Sequence, residues 1–492
     1  MLAWNGPVNR KECLLERLRK VFNPRSIAFY GASNNPMTMG TGQLAILLMQ
    51  GYEGAVYPVH PTETEVLGLK AYRSIDDLPE TPDLAVMVLP TDIVAKILDE
   101  CGRAGLRAAV VVSGGFRETG PGGGSKEKKL AEVARRHGIA LVGPNCIGVS
   151  NFNIGLNTTY FPYEQEPGNI SVVSQSGTYS CHIYGHTRKV GMKLSHTVSV
   201  GNSAVTDLSD FLEYFGDEPT TKAIALYVEG IADGEKFVRV AREVAAKKPV
   251  VGLYVGGTVA GARAGMTHTG ALAGDDAIYD GVFRETGIIR AYSVEEMLDW
   301  AWALALQPPP AGRRICVLSN AGGPAASMAD SCNRAGLEVP LFSERLQGRL
   351  REILPHTAAS INPIDMTFFM DMEAMYGTIP RMLMESDEID GIVMYGVFGS
   401  MLYRKIQAAM GDRIRLPIEE VAPYAIDLLT RLKELPGEYG KPLVVSSLWG
   451  KDDDALEFLV DSGVPVYPTP ERAVSAMAAL CKRCQALRFA RS

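Results

Sequence analysis

The run Ser26-Ile-Ala-Phe-Tyr30, followed by Gly31-Ala-Ser-Asn-Asn-Pro-Met-Thr-Met-Gly40, decides the fold. Five residues without polar alternation read as a strand buried on both faces, and the glycine turn hands the chain to a helical pattern. Further strand-like runs stand at Ala55 to Val59, Leu84 to Leu89, Ala108 to Ser113 and Ile139 to Val142, separated by amphipathic stretches such as Ile93 to Ala104. Strands alternating with helices in this way predict a parallel, doubly wound sheet.

The pattern then recurs twice. A second set of strands is expected at Ile170 to Ser174, Ala223 to Val228 and Val250 to Tyr254. Three consecutive prolines in Leu306-Gln-Pro-Pro-Pro-Ala-Gly-Arg-Arg314 cannot continue a helix and mark a linker. Beyond it, Ile315 to Ser319 opens a third unit through Asn320-Ala-Gly-Gly-Pro324, with strands again at Gly391 to Tyr395 and Pro442 to Ser446. The 492 residues suit about three domains. The expectation is an α/β chain of three doubly wound modules over residues 1–149, 150–308 and 313–492.

Composition excludes several classes. A net charge of −7, with no long Lys/Arg block, offers no footprint for a nucleic-acid backbone. No run of about 18 apolar residues reads as membrane-spanning, and Met1 to Lys20 lacks the apolar core of a signal peptide, so a cytoplasmic protein is expected. The eight cysteines are sparse, and the lone Cys481–Cys484 pair lacks a second pair for zinc. His182 and His186 stand four apart without a third ligand, so no metal site is expected.

The chemistry-bearing residues fall at strand ends. Gly31 to Gly40 is a strand–glycine–helix turn, where outward amides and the helix dipole favour an anion. It lacks the GxGxxG spacing, and the second strand ends in His60-Pro61 rather than an acidic residue, so nicotinamide binding is not expected. Ser174-Gln-Ser-Gly-Thr178 is a second such turn. His268 sits among small residues in Gly265-Met-Thr-His-Thr-Gly-Ala-Leu-Ala-Gly274, which reads as a loop. Glu229 ends a buried strand, where a carboxylate could hold one histidine nitrogen and leave the other as nucleophile.

Taken in order, Gly-Ala-Ser at 31, Pro-Asp-Leu-Ala-Val at 82, Ser-Gly-Gly-Phe at 113, Gly-Pro-Asn-Cys-Ile-Gly at 143, Ser-Gln-Ser-Gly-Thr at 174, Tyr-Val-Glu-Gly at 227, Thr-His-Thr-Gly at 267 and Asn-Pro-Ile-Asp at 362 form an ensemble. It resembles the NDP-forming acyl-CoA synthetases, relatives of the succinyl-CoA synthetase α subunit, from about Val21 to Leu480.

The resemblance implies a Rossmann-like CoA-binding domain followed by two flavodoxin-like domains. It implies that His268 is phosphorylated and that Glu229 orients it. Ser174, Gln175, Ser176, Gly177, Thr269 and Gly270 would surround the transferring phosphate. Gly31, Ser33 and Gly40 would lie by the CoA phosphates, Val59 and Pro90 beside the nucleotide, and Ser113, Gly114 and Gly115, with Asn145, beside the pantetheine arm. Gly155 to Phe161 resembles the acyl-pocket region.

The implied activity is an acid–thiol ligase interconverting acyl-CoA, phosphate and ADP with a carboxylic acid, CoA and ATP through an acyl phosphate. The nucleotide, with Mg2+, would sit on a separate ATP-grasp β subunit, because three α/β modules leave no room for one here; a hetero-oligomer follows. Two positions depart from the family pattern, Tyr254 and Thr62 standing where many members have lysine, with Lys70 or Arg73 as substitutes for the second charge. The alternative is a CoA- or acyl-CoA-binding regulatory protein that kept the fold without the chemistry.

Overall fold

The structure is a computed structural model that describes residues 10–261, 263 and 274–489. Three larger sheets are present among the described residues. The first runs β2 (Ala55–Val59), β1 (Ser26–Tyr30), β5 (Leu84–Met87), β6 (Ala108–Val111) and β7 (Ala140–Val142), all parallel. Every residue of β1, β5 and β6 is buried, which explains their unbroken apolar sequences. A small hairpin of β3 (Glu65–Val66) and β4 (Leu69–Lys70) follows β2.

The second sheet has seven strands in the order β14 (Ile289–Ala291), β13 (Val250–Tyr254), β12 (Ala223–Val228), β10 (Ile170–Ser174), β11 (Leu194–Ser199), β8 (Val149–Asn151) and β9 (Leu156–Asn157). Its centre is parallel, and β8 and β9 add an antiparallel edge that the sequence analysis left unassigned. These edge strands are two or three residues long, too short for a visible period. The third sheet is parallel, ordered β16 (Ile364–Asp365), β15 (Ile315–Ser319), β17 (Gly391–Tyr395), β18 (Leu443–Ser446) and β19 (Val466–Tyr467).

All three sheets repeat one plan. Counting parallel strands by succession, the first lies between the second and the third, so the order reverses beside it. Connections to either side leave on opposite faces and open a crevice at the strands' carboxyl ends. The crevices lie between β1 and β5, β10 and β12, and β15 and β17.

The chain divides into two compact units, residues 1–186 with 193–290, and residues 187–192 with 291–492. One apolar core runs through the first unit and joins its two sheets. Phe22, closing the helix Arg10–Phe22, stacks on Tyr214 with centroids 5.0 Å apart and meets the edge of His196 at 5.6 Å. His196 lies inside β11, and burial pushes its pKa down to about 3. It is a neutral core residue.

The helix Val294–Leu306 packs within the second compact unit. Eight of its residues are buried, among them Trp300 and Trp302. Trp300 Nε1 donates to Ser475 Oγ at 2.9 Å, and Arg472 forks onto Asp299 at 2.7 Å through two nitrogens. A helix this apolar needs cover on several sides, and the long helix Pro470–Phe489 supplies it. Among the described residues, no helix is long and apolar enough to cross a membrane.

Two glycines test the packing of the first crevice. A Cβ on Gly40 would lie 2.2 Å from the Gly31 carbonyl oxygen, whereas one on Gly124, in the helix Pro121–His137, would meet nothing within 4 Å. Gly40→Ala is expected to cost about 1–3 kcal/mol through overpacking. Gly124→Ala is expected to gain up to ~1 kcal/mol of helix propensity. Urea denaturation of the two variants checks both signs.

Candidate functional site

The first crevice is built by backbone contact. Gly31 has φ +95°, and a Cβ there would lie 2.0 Å from the Val88 carbonyl oxygen, so the ends of β1 and β5 approach closely. Thr41 Oγ1 donates to the Ser33 carbonyl at 2.9 Å and accepts from the Ser33 amide at 3.0 Å, fixing the turn. The helix Met39–Met49 starts here, and its N-cap Thr38 makes no side-chain capping bond, which leaves first-turn amides for an anion. Val59 is buried at the end of β2, and Pro90 opens the helix Thr91–Arg103. Thr62 lies in a turn whose amide donates to His60 Nδ1 at 3.3 Å, and the Lys70 ammonium sits 4.9 Å from the centroid of the Tyr72 ring.

Beside this crevice, Ser113 Oγ donates to the Leu89 carbonyl at 2.5 Å and accepts from its amide, tying the ends of β5 and β6. Gly115, at φ +95°, turns its amide onto Glu118 Oε1 at 2.6 Å, and the Phe116 amide joins at 3.0 Å. The other Glu118 oxygen accepts from Asn202 Nδ2 at 2.7 Å; Asn202 also donates to Glu127 Oε2 at 2.7 Å and accepts from Asn145 Nδ2 at 3.2 Å. Asn145 closes the ring by donating its backbone amide to the Ser113 carbonyl at 2.9 Å, with φ +57°. Burial opposes the charge on Glu118, but these hydrogen bonds outweigh it and hold its pKa below the usual carboxylate range. The Gly115 and Phe116 amides are thus already engaged by the chain's own carboxylate. The sequence analysis missed Glu118 and Asn202, because a polar residue after a glycine turn carries no spacing signal.

The second crevice assembles the residues read as a phosphate site. Ser174 Oγ donates to the Ser176 carbonyl at 2.7 Å and accepts from its amide at 3.1 Å, which shapes the turn. Gln175 spans the crevice: its Oε1 accepts from the amides of Glu229 at 2.6 Å and Gly230 at 3.0 Å, and its Nε2 donates to the Gly230 carbonyl at 2.9 Å. Its side chain is therefore a clasp between the ends of β10 and β12, rather than a group aimed at a ligand. Gly177 begins a short helix to Cys181, and a second helix, Ile183–Val190, follows after a break at His182. His182 and His186 consequently do not share one helix.

A cavity of about 300 Å³ opens at this edge, lined by Gln175, Asn202, Ser203, Gly230, Ile231 and Arg117 among others. Tyr254, at the end of β13, donates its hydroxyl to the Gly274 carbonyl at 2.9 Å and stacks on Tyr279. Burial and the neighbouring Tyr279 raise the Tyr254 phenol to about 12, so it stays a neutral donor. His268, Thr269 and Gly270 lie outside the described residues. Of the segment 155–161, Leu156 to Thr159 are buried, and only the Tyr160 and Phe161 rings face outward in number, at 42% and 37% exposure.

The third crevice holds Asn320, only 1% exposed, with neither side-chain amide atom hydrogen-bonded, beside Gly396, where a Cβ would lie 2.0 Å from Asn320 Oδ1. The helix Gly322–Arg334 starts next to it. The sequence analysis read this only as a βα turn.

Two family models match the chain, a CoA binding domain over residues 25–151 and a succinyl-CoA ligase like flavodoxin domain over 167–304. The α subunit of acetate–CoA ligase [ADP-forming] II from Pyrococcus furiosus is 37% identical over 94% of this chain and 97% of its own length. Acetate–CoA ligase [ADP-forming] I from Archaeoglobus fulgidus is 35% identical over 94% of this chain, which covers 63% of that protein. Among solved structures, the dinucleotide-forming acetyl-coenzyme A synthetase 1 of Ca. Korarchaeum cryptofilum, in complex with phosphate and ADP, superposes with a TM-score of 0.82 at 34% identity, covering 96% of this chain and 98% of that one.

The Glu118 network has a testable pH dependence. With its folded pKa depressed, Glu118 contributes its full stabilisation above the unfolded pKa of roughly 4.3 and loses it as the pH falls through the folded value. Glu118→Gln is expected to cost about 1–3 kcal/mol at pH 7. Urea titrations at descending pH should show the variant and the native chain converging in acid.

Proposed function

This chain belongs to the family of ADP-forming acyl-CoA ligases, and from that membership we propose how its own residues divide the work of an acid–thiol ligase α subunit. Residues 1–149 hold coenzyme A, with Gly31, Ser33 and Gly40 at its phosphates, Val59 and Pro90 beside the nucleotide, and Ser113, Gly114, Gly115 and Asn145 along the pantetheine arm. Residues 150–308 hold the phosphoryl site. Ser174, Ser176 and Gly177, with Thr269 and Gly270, surround the phosphate, and Glu229 orients His268. Gln175 acts one step back, holding the two strand ends together.

The observation that carries this reading is the Gln175 clasp. It brings the Ser174 to Gly177 turn and the backbone of Glu229 to one crevice, although 54 residues separate Gln175 from Glu229. A phosphate there meets the first amides of a helix start, and Gly177 leaves the backbone open to close approach.

In the direction of acyl-CoA cleavage, a phosphate oxygen attacks the thioester carbonyl. The carbon–sulfur bond breaks, and CoA leaves as thiolate and takes a proton. A nitrogen of His268 then attacks phosphorus, the bond to the acyl oxygen breaks, and the acid leaves as carboxylate. Glu229 holds the second ring nitrogen and stabilises the cationic imidazole as the N–P bond forms. The phosphoryl group then passes from His268 to a terminal oxygen of ADP, the N–P bond breaking as the new P–O bond forms; a separate ATP-grasp β subunit would hold the nucleotide with Mg2+. One fact supports a separate partner: the Pyrococcus relative, of which this chain covers 97%, is itself named an α subunit.

The test uses the purified chain, labelled inorganic phosphate and a panel of acyl-CoAs. Acid-labile, alkali-stable label is expected on the His268 peptide, and none in His268→Ala. Label on another residue, or none with any acyl-CoA even after the β subunit is added, overturns the reading. Gly177→Ala refines it, because a Cβ there meets its nearest neighbour at an ordinary 3.6 Å. The variant should fold with unchanged or slightly raised stability, by up to ~1 kcal/mol, and label at least roughly tenfold more slowly.

A further inference from the structure

Tyr254 and Tyr279 lie face to face, with ring centroids 3.5 Å apart and planes within 6°. A direct sandwich is the least favoured aromatic arrangement, since the negative faces of the two rings oppose each other. Packing alone does not select it, and the hydroxyls account for it. The Tyr254 hydroxyl donates to the Gly274 carbonyl at 2.9 Å. The Tyr279 hydroxyl accepts from the Ile231 amide at 3.2 Å. Gly274 is seated directly on the second ring, for a Cβ there would lie 2.8 Å from Tyr279 Cε2.

These contacts join two loops at the carboxyl edge of the second sheet. Ile231 follows Glu229 and Gly230, which Gln175 grips from the other side. An unbroken path of hydrogen bonds and stacked rings therefore runs from Gln175 through the Glu229 loop and the two phenols to Gly274. Gly274 ends the sequence segment that contains His268.

We propose that the Tyr254–Tyr279 pair is a positioning clamp for phosphoryl transfer, fixing the loop that bears Glu229 against the backbone at Gly274. The proposal rests on the reading that His268 takes the phosphoryl group and Glu229 serves it. Tyr254 acts through the Glu229 loop and Gly274 and is a positioning residue, and its hydroxyl alone separates it from a phenylalanine that would fill the same space.

Tyr254→Phe and Tyr279→Phe, each in the full chain, test it with labelled phosphate and an acyl-CoA that the native chain accepts. Loss of either hydroxyl is expected to lower the rate constant for His268 labelling roughly 10- to 100-fold. The KM values for acyl-CoA and phosphate should stay within about twofold, because ground-state binding is untouched. The double variant should be little slower than either single one, as expected of residues acting as a unit. A native rate in Tyr254→Phe overturns the clamp, as does a loss expressed in KM or one that follows a lowered melting temperature. If Tyr254→Phe is unstable, Tyr279→Phe decides by the same criteria. Failure of the native chain to label His268 is a different result: it removes the underlying reading and the clamp with it.

Discussion

The reversal of strand order between β10 and β12 is the constraint on which the site depends. Two neighbouring parallel strands whose connections leave on opposite faces cannot cover their own carboxyl ends, so a gap opens there. In an interior sheet such a gap would leave the strand-end amides bare. Gln175 answers this with a side chain long enough to cross and an amide that both donates and accepts. Its three bonds set the Glu229 backbone at a fixed place beside the Ser174 turn. The same reversal at β1 and β5 is closed more tightly, by glycines whose missing side chains let backbones touch.

Neighbouring parts of the first unit show how the remaining polar groups are accommodated. Glu118, Asn202, Glu127 and Asn145 form a ring in which each carboxylate or amide finds partners, which is what a buried polar cluster requires. The ring links the two sheets of that unit through side chains, while Phe22, Tyr214 and Phe215 link them through apolar contact. The residues proposed for CoA and for the phosphoryl group thus belong to one compact unit with a shared core.

Much of the fold was legible in the sequence, because interior parallel strands are continuous apolar runs. Ser26 to Tyr30, Ile170 to Ser174, Ala223 to Val228, Val250 to Tyr254, Ile315 to Ser319 and Gly391 to Tyr395 stand where the runs place them. The edge strands β8 and β9 were not legible, being too short and too polar. At the site, glycines and hydroxyls at strand ends were visible as motifs. The roles of Gln175, Glu118 and the two tyrosines were not, since each depends on a partner tens of residues away whose position only the folded sheets define.

The central claim is that this chain alone passes a phosphoryl group from an acyl phosphate to itself. A single-turnover burst measures it most directly: excess chain, a limiting accepted acyl-CoA, and free thiol followed with and without inorganic phosphate. The account predicts thiol release that requires phosphate, with one equivalent of protein-bound phosphate formed for each carboxylic acid released. Thiol release at the same rate without phosphate would show simple thioester hydrolysis and contradict it.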